Sequence, residues 1–290
     1  MARILVIGSV ARDDVVKMHE RVREGTHLEG TWRGPRLGGG ASCTAVPLAY
    51  AGHSVKVIGA LGTDELGDEL IAELAATGVD TSRIVRINHP STRSIILVNG
   101  HSERTIVNVA RTRGEDPKDR RLDVPVDCVC VRSRRLDLAQ QLSEKAGECL
   151  IVAHVPPSEP GCRPAHILVA SDTDVGPEVL DLPLDAGRRI AGDRLEWMIV
   201  THGANGVTAY NRDDTIYVPA PRVSPVDTTG AGDSFAAGLV HALVSGAEMK
   251  EALETGAAWG AEATLWESSI LPPDAVDRLT QLQAVANAPR

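Results

Sequence analysis

Aromatic side chains are scarce in this 290-residue chain: one Phe, three Tyr and four Trp, 3% in all. Positive charge is also short, and the formal net charge is −9. A chain poor in both is badly equipped to stack on bases or to track phosphates, which sets nucleic acid aside as a partner. The cysteines are Cys43, Cys128, Cys130, Cys149 and Cys162, an odd number with no CxxC pair. Neither a disulfide framework nor a zinc site is expected from them. There is no apolar run of about 18 residues, and the opening MARILVIGSV has no signal-peptide pattern. Neither a membrane nor export is expected, and the reducing cytoplasm is the predicted location.

What is present is ordinary for a globular protein: 43% hydrophobic and 24% charged residues. Short apolar runs at 2–10, 54–62, 126–131, 148–155, 166–171 and 196–203 read as buried strands. Between several of them lie helical patterns. GGGASCTAVPLAYAG (38–52) is a glycine turn feeding a helix that stops at Gly52, with Pro47 in its interior. DELGDELIAELAATGV (64–79) carries a helical apolar stripe and ends at Gly78. The alternation predicts a mostly parallel sheet with helices on both faces. Residues 11–37 and a hairpin over 94–110, turning at Gly100, interrupt it and predict a small appended sheet over the strand ends. Ligands of open parallel sheets lie beyond the C-terminal strand ends, where Gly8-Ser9, His202-Gly203 and the Gly38 turn are expected.

DTTGAGDSFAAG (227–238) is the most informative stretch. Its glycines allow the main-chain N–H groups of Gly230, Ala231, Gly232 and Asp233 to point one way. Such a nest at the positive end of a helix binds phosphate or a developing negative charge. No Lys follows the glycines, so the pattern is not a Walker A loop. An acid at Asp233 is either a helix cap or a base beside a bound anion, placed to take the proton of an alcohol that attacks a phosphate.

This stretch resembles the C-terminal signature of the ribokinase-like (PfkB) carbohydrate kinases, and residues 38–70 resemble their N-terminal signature. The resemblance spans most of the chain and is weakest over about 111–165. It implies a doubly wound, mostly parallel α/β domain over residues 1–290, with a small β lid from about 11–37 and 90–112. It further implies ATP and Mg2+ as cofactors and a sugar as acceptor. Asp233 becomes the general base, and the amides of Gly230, Ala231 and Gly232, with that of Asp233, the anion hole. Asp13 becomes the sugar-hydroxyl acceptor, and Gly39 and Gly40 bring main chain close to the sugar. Thr201, Gly203 and Gly206 become nucleotide contacts.

Several positions depart from the family pattern. Ala11 and Cys43 stand where relatives often carry Asn, and Ala257 stands where Asn often lies near the adenine. An Asn-x-x-Glu element aligns with Ser171 to Asp174, leaving Asp174 an indirect, water-mediated role at magnesium. The segment after 264 lacks the glycine-containing loop many relatives use for a monovalent cation, so that cofactor is left open.

Arg104, Arg111, Arg113, Arg132, Arg134 and Arg135 lie in or after the hairpin. Asn108 and Arg132 resemble positions that grip the sulfonate in sulfofructose kinases of the family, so a sulfo- or phosphosugar is one expected substrate. A nucleoside kinase of the same fold and a catalytically silent ligand-binding regulator are the alternatives. Relatives often dimerise through the lid, and a homodimer of that kind is part of the expectation.

Overall fold

The structure is a computed structural model and describes residues 1–99, 104–112 and 122–286. The strands are β1 (Arg3–Gly8), β2 (Ala11–Met18), β3 (Gly30–Gly38), β4 (Ser54–Gly62), β5 (Asp80–Ile87), β6 (Arg93–Val98), β7 (Arg104–Ala110), β8 (Cys128–Arg132), β9 (Leu150–Val155), β10 (Ile167–Ser171), β11 (Trp197–Thr201), β12 (Val207–Tyr210) and β13 (Thr215–Val218). The helices are α1 (Gly40–Tyr50), α2 (Glu65–Ala76), α3 (Ala139–Lys145), α4 (Pro177–Leu180), α5 (Pro183–Ala191), α6 (Ala231–Val244), α7 (Met249–Ala263) and α8 (Pro273–Ala286).

Nine strands form one sheet in the order β13-β12-β11-β10-β9-β8-β1-β4-β5. Every pairing from β11 to β5 is parallel, and β12 and β13 return antiparallel at one edge. This is the predicted doubly wound sheet. Its strands are continuous apolar runs because both faces are covered. In β1, Ile4 and Val6 join the core on one face, with Phe235, Leu239 and Trp259. Leu5 and Ile7 join the core on the other, with Leu142 and Ile190. Alternation along an extended chain sends neighbours to opposite faces, which is why one strand feeds two cores.

Helix α1 is buried from Ala41 to Leu48 and continues through Pro47 to Tyr50. Its small side chains let it lie against α6. Helix α6 packs on α7 by a similar device: a Cβ on Gly238 would fall 2.7 Å from the Trp259 ring, itself fully buried. The second sheet has the order β3-β2-β6-β7. Strands β2 and β6 pair in parallel, whereas β2–β3 and β6–β7 are antiparallel. Among the described residues its own buried cluster is Val15, Ile96 and Val98. The predicted hairpin is present as β6 and β7, while its turn at Gly100, and Arg113, lie outside the described residues.

Away from the strand ends, His53 Nε2 and His241 Nδ1 are 2.8 Å apart. His53 Nδ1 accepts the Ala2 amide at 3.2 Å, and His241 stacks on Trp259. Burial, then the neighbouring His241, lowers the His53 pKa to about 4 from 6.5. The folded chain therefore holds this imidazole neutral while the unfolded chain protonates it between those values. Stability contributed here is present above pH 6.5 and is lost as the pH falls toward 4. Melting temperature should drop across that interval, and His53→Gln should flatten the slope. Identical slopes in calorimetric scans of the two proteins would count against this assignment.

Candidate active site

Strand order reverses between β1 and β8: the chain goes from β1 to β4 and β5 on one side, and from β8 to β11 on the other. Crevices open beyond the C-terminal ends of strands at such a reversal. Gly8, the last residue of β1, pairs in register with Arg132, the last of β8. Helix α1 begins at the same place. The Ala41 amide donates to Ser9 O at 3.0 Å, and a Cβ on Gly40 would lie 3.3 Å from Arg132 Cβ and 3.4 Å from Asp233 Oδ1. Gly39, at φ 90°, has no room for a side chain, because its Cβ would lie 2.4 Å from Ser9 O.

Helix α6 enters this crevice by its N-terminus. Gly230 is the N-cap at φ 79° with no side-chain cap bond. Ala231 donates to Thr228 O at 3.3 Å, and the first helical bond runs from Ser234 N to Gly230 O at 2.8 Å. The amides of Gly232 and Asp233 have no acceptor one turn back in the helix. A methyl on Gly232 would meet no described atom within 4 Å beyond its chain neighbours and the backbone of its own helix. Space above the helix mouth is therefore open, and the fold gives no packing reason for that glycine.

Asp233 does not cap its own helix. Its Oδ1 accepts from Arg132 Nε at 2.9 Å and from Arg132 Nη2 at 2.5 Å, while Oδ2 takes no part in the pair. Arg132 is 10% exposed. Burial opposes its charge, but the contributions that oppose burial, led by Asp233 beside it, together raise its pKa above the ordinary value. Thr44 Oγ1, on α1, donates to the Asp233 carbonyl at 3.4 Å.

Asp13 sits on β2, packed over Gly38, whose Cβ would fall 1.9 Å from Asp13 Oδ2. Burial raises its pKa to about 6, partly countered by a hydrogen bond from Ser94 and raised further by Asp233. Asn108, on β7, has its Oδ1 3.4 Å from Ser94 Oγ, so it stands next to this pair. Cys43 faces the same charges but is buried, and burial with Asp233 and Asp13 holds its thiol well above the usual range. His154, beside β8, is kept neutral by burial and by the charges of Arg132, Arg134 and Arg163, which lower its pKa to about 2.

The positions expected to contact a nucleotide lie farther along the same edge. Thr201 ends β11 and bonds Ala170 O at 3.3 Å. His202 is fixed at both ring nitrogens, by Asp172 and by Thr208, each at 3.1 Å. Gly203 and Gly206 have φ of 54° and 97°, and a Cβ on Gly206 would meet Val218 O at 2.2 Å. Asp174 follows β10 with its side chain exposed. Ala257 is buried in α7 within the core. Among the described residues no three His, Cys, Asp or Glu side chains gather as a metal-holding group.

Sequence reasoning passed over two charged groups here. Asp227 opens the quoted motif, is 4% exposed, and accepts from Arg36 Nη1 at 2.7 Å. Its other oxygen accepts the Thr229 amide at 2.9 Å. The signal for Asp227 was its position two residues before a Thr-Gly turn, where an acid folds back on the main chain. Nothing local marked Arg36.

Residues 1–153 and 182–275 match the model described as the pfkB family carbohydrate kinase. The chain is 28% identical over 276 residues to an ATP-dependent ribose-1-phosphate kinase of Halopiger xanaduensis, covering 90% of this chain and 91% of that protein. It is 26% identical to a ribokinase of Haemophilus influenzae, covering 88% and 90%. Among solved structures, a ribokinase of Cryptococcus neoformans in complex with ADP is similar at TM-score 0.78 and 23% identity, over 96% of this chain and 99% of that one. The fold is shared at that level.

The two glycines at the helix mouth should behave differently. Gly230→Ala places a methyl 2.0 Å from Ser269 O at a left-handed φ. The φ alone costs about 1–2 kcal/mol, before the clash. Gly232→Ala should hold stability within about 1 kcal/mol of the parent, or raise it slightly. Urea denaturation of both variants checks the contrast, and equal losses would contradict the described turn.

Proposed function

The chain belongs to the pfkB family of carbohydrate kinases, and from that premise we propose that it transfers a phosphoryl group from ATP to a hydroxyl of a sugar or sugar derivative. The observation that carries the reading is the Asp233 carboxylate at the open mouth of α6, with Oδ1 fixed by Arg132 and Oδ2 outside that pair. Oδ2 accepts the proton of the attacking hydroxyl. Amides of 230–233 and the helix dipole meet the charge on the transferred group, and Ala231 joins them by yielding its long bond to Thr228. Asp13 accepts from sugar hydroxyls, with Ser94 and Asn108 beside it.

Thr201, Gly203 and Gly206 form the nucleotide end, where bare main chain at Gly203 is open to a flat ligand, while Gly206 is bare because the main chain of Val218 packs against it. Ala257 offers the nucleotide no polar group. Magnesium would be held chiefly by the nucleotide's phosphates, with the exposed Asp174 carboxylate free to reach it through water, since the ion keeps several waters. Bound there it would neutralise charge between phosphates. The exposed apolar residues of β7, Ile106, Val107 and Val109, support a homodimer that pairs through the lid.

A second reading, that the sugar carries an acidic group, is favoured by particular features. Arg132 lies buried at the strand reversal. A cavity of about 450 Å3 beside the lid is lined by Arg21, Asn99 and Arg104. The Halopiger relative is named for a sugar phosphate. A nucleoside acceptor is less well supported, since Trp32, the one aromatic on the lid strands, is 57% exposed.

Asp233→Asn should keep the fold and ATP binding while turnover falls by about 10²–10⁴-fold. An ATP-consumption assay over neutral sugars, acidic sugars and nucleosides reads this, and near-normal turnover in the folded variant would defeat the base assignment. Silence of the parent chain on every acceptor would favour the regulator instead. In the same assay Arg132→Ala should reduce kcat/KM for the best acidic sugar by more than for a neutral one. An unchanged ratio between the two would sink the acidic-sugar reading.

A further inference from the structure

Two arginines of the small sheet reach across to the turn that begins α6. Arg36, on β3, donates from Nη1 to Asp227 Oδ2 at 2.7 Å, with the arginine 12% and the acid 4% exposed. Arg104, on β7, donates to the carbonyl and hydroxyl oxygens of Thr228 at 3.1 and 3.3 Å. Asp227 is also the group that shapes the turn, since its Oδ1 accepts the Thr229 amide at 2.9 Å. One carboxylate thus holds the turn with one oxygen and the lid with the other.

The main chain on either side is held separately by the body. Val226 N and Asp227 N donate to Thr264 O at 2.7 and 3.2 Å, and Gly230 packs on Ser269. Losing the lid contact therefore leaves the segment anchored but frees the Asp227 side chain, and with it the orientation of the 228–230 peptides. Removing Arg36 would leave a buried carboxylate without its counter-charge, an unfavourable state that favours rearrangement toward water. Arg36 is also the cross-strand partner of Asp13 and one of the charges acting on it. It stands between the acid assigned to the sugar and the acid that shapes the phosphate turn.

We propose that Arg36 is a positioning residue that makes the nest at 230–233 correctly formed only when the lid is down, with Arg104 as a second tether on the same turn. This rests on the reading of that nest as an anion hole. A lid raised for sugar entry would then carry a disordered nest, and ATP would find its transfer site complete only after the sugar is enclosed. Such a coupling limits transfer to water without any further residue.

The test uses the full chain and four variants: Arg36→Met, Arg36→Lys, Asp227→Asn and the double variant Arg36→Met/Asp227→Asn. Arg33→Met is the control, because Arg33 also bridges lid and body, to Glu267 at 3.8 Å, but on an exposed surface. Hydrogen exchange at the amides of 228–233 should quicken in Arg36→Met and stay at the parent level in Arg33→Met. In the sugar-kinase assay, kcat of Arg36→Met should fall by about 100-fold, as expected of a misplaced transfer site. Arg36→Lys should recover part of the loss. The double variant should be no worse than the worse single variant, within about twofold. Unchanged exchange in a folded Arg36→Met, or losses that multiply in the double variant, would overturn the proposal. A parent chain with no turnover on any acceptor would instead tell against the kinase reading, and the exchange measurement would still decide the coupling.

Discussion

Seven parallel strands must all end at one edge of the sheet, and no loop bridges that edge where the chain order reverses. This constraint governs the molecule. The reversal falls between β1 and β8, and the residues that end those strands, Gly8 and Arg132, lie side by side. Helices α1 and α6 both begin there, one supplying small residues that keep the gap open and the other supplying its positive end. The second sheet rises from the same edge, since β2 follows β1 by a short link and β3 leads directly into α1. The site is a product of connectivity before it is a product of side chains.

Charge is arranged around the gap by depth. Pairs on the open surface, such as Arg3 with Asp127 at 54% and 44% exposure, contribute little, because water screens them. Arg36–Asp227 and Arg132–Asp233 are drier, and breaking either leaves a charge that water cannot easily reach. Asp13 is the exception. It is buried without a full counter-charge and keeps a raised pKa, about 6. An acid left in that state has acceptor capacity to offer a ligand, whereas Asp227 has committed both oxygens to the protein.

Much of this was legible in the residues. The apolar runs gave the parallel strands because burial on both faces leaves no polar alternation to confuse them. Gly-rich turns gave the starts of α1 and α6 because only bare main chain fits there. Strand β5, DTSRIVRI, escaped notice because an edge strand carries polar residues among its apolar ones. The β12–β13 hairpin was hidden by strands of only four residues, and α7 and α8 were not anticipated either. At the site, the acids within the motif could be read, but their partners could not. Arg132 and Asp233 are separated by 101 residues, and Arg36 and Asp227 by 191, so only the folded sheet order brings them together. The arginines that cluster after the hairpin in sequence therefore divide in the structure. Arg135 pairs with Asp137 near the surface, whereas Arg132 is enclosed.

The thiols bear on how such a site withstands its surroundings. Burial, together with the field of Asp233 and Asp13, holds the Cys43 thiol protonated, and each of the other four cysteines is likewise shifted away from the thiolate. Only thiolates are rapid nucleophiles toward peroxide, disulfides or alkylating agents. A polar asparagine at position 43 would have offered a hydrogen bond; a cysteine there brings sulfur near Asp233 and Asp13 as a protonated thiol. The same desolvation that shapes the crevice thus disfavours the thiolate at every cysteine of the chain.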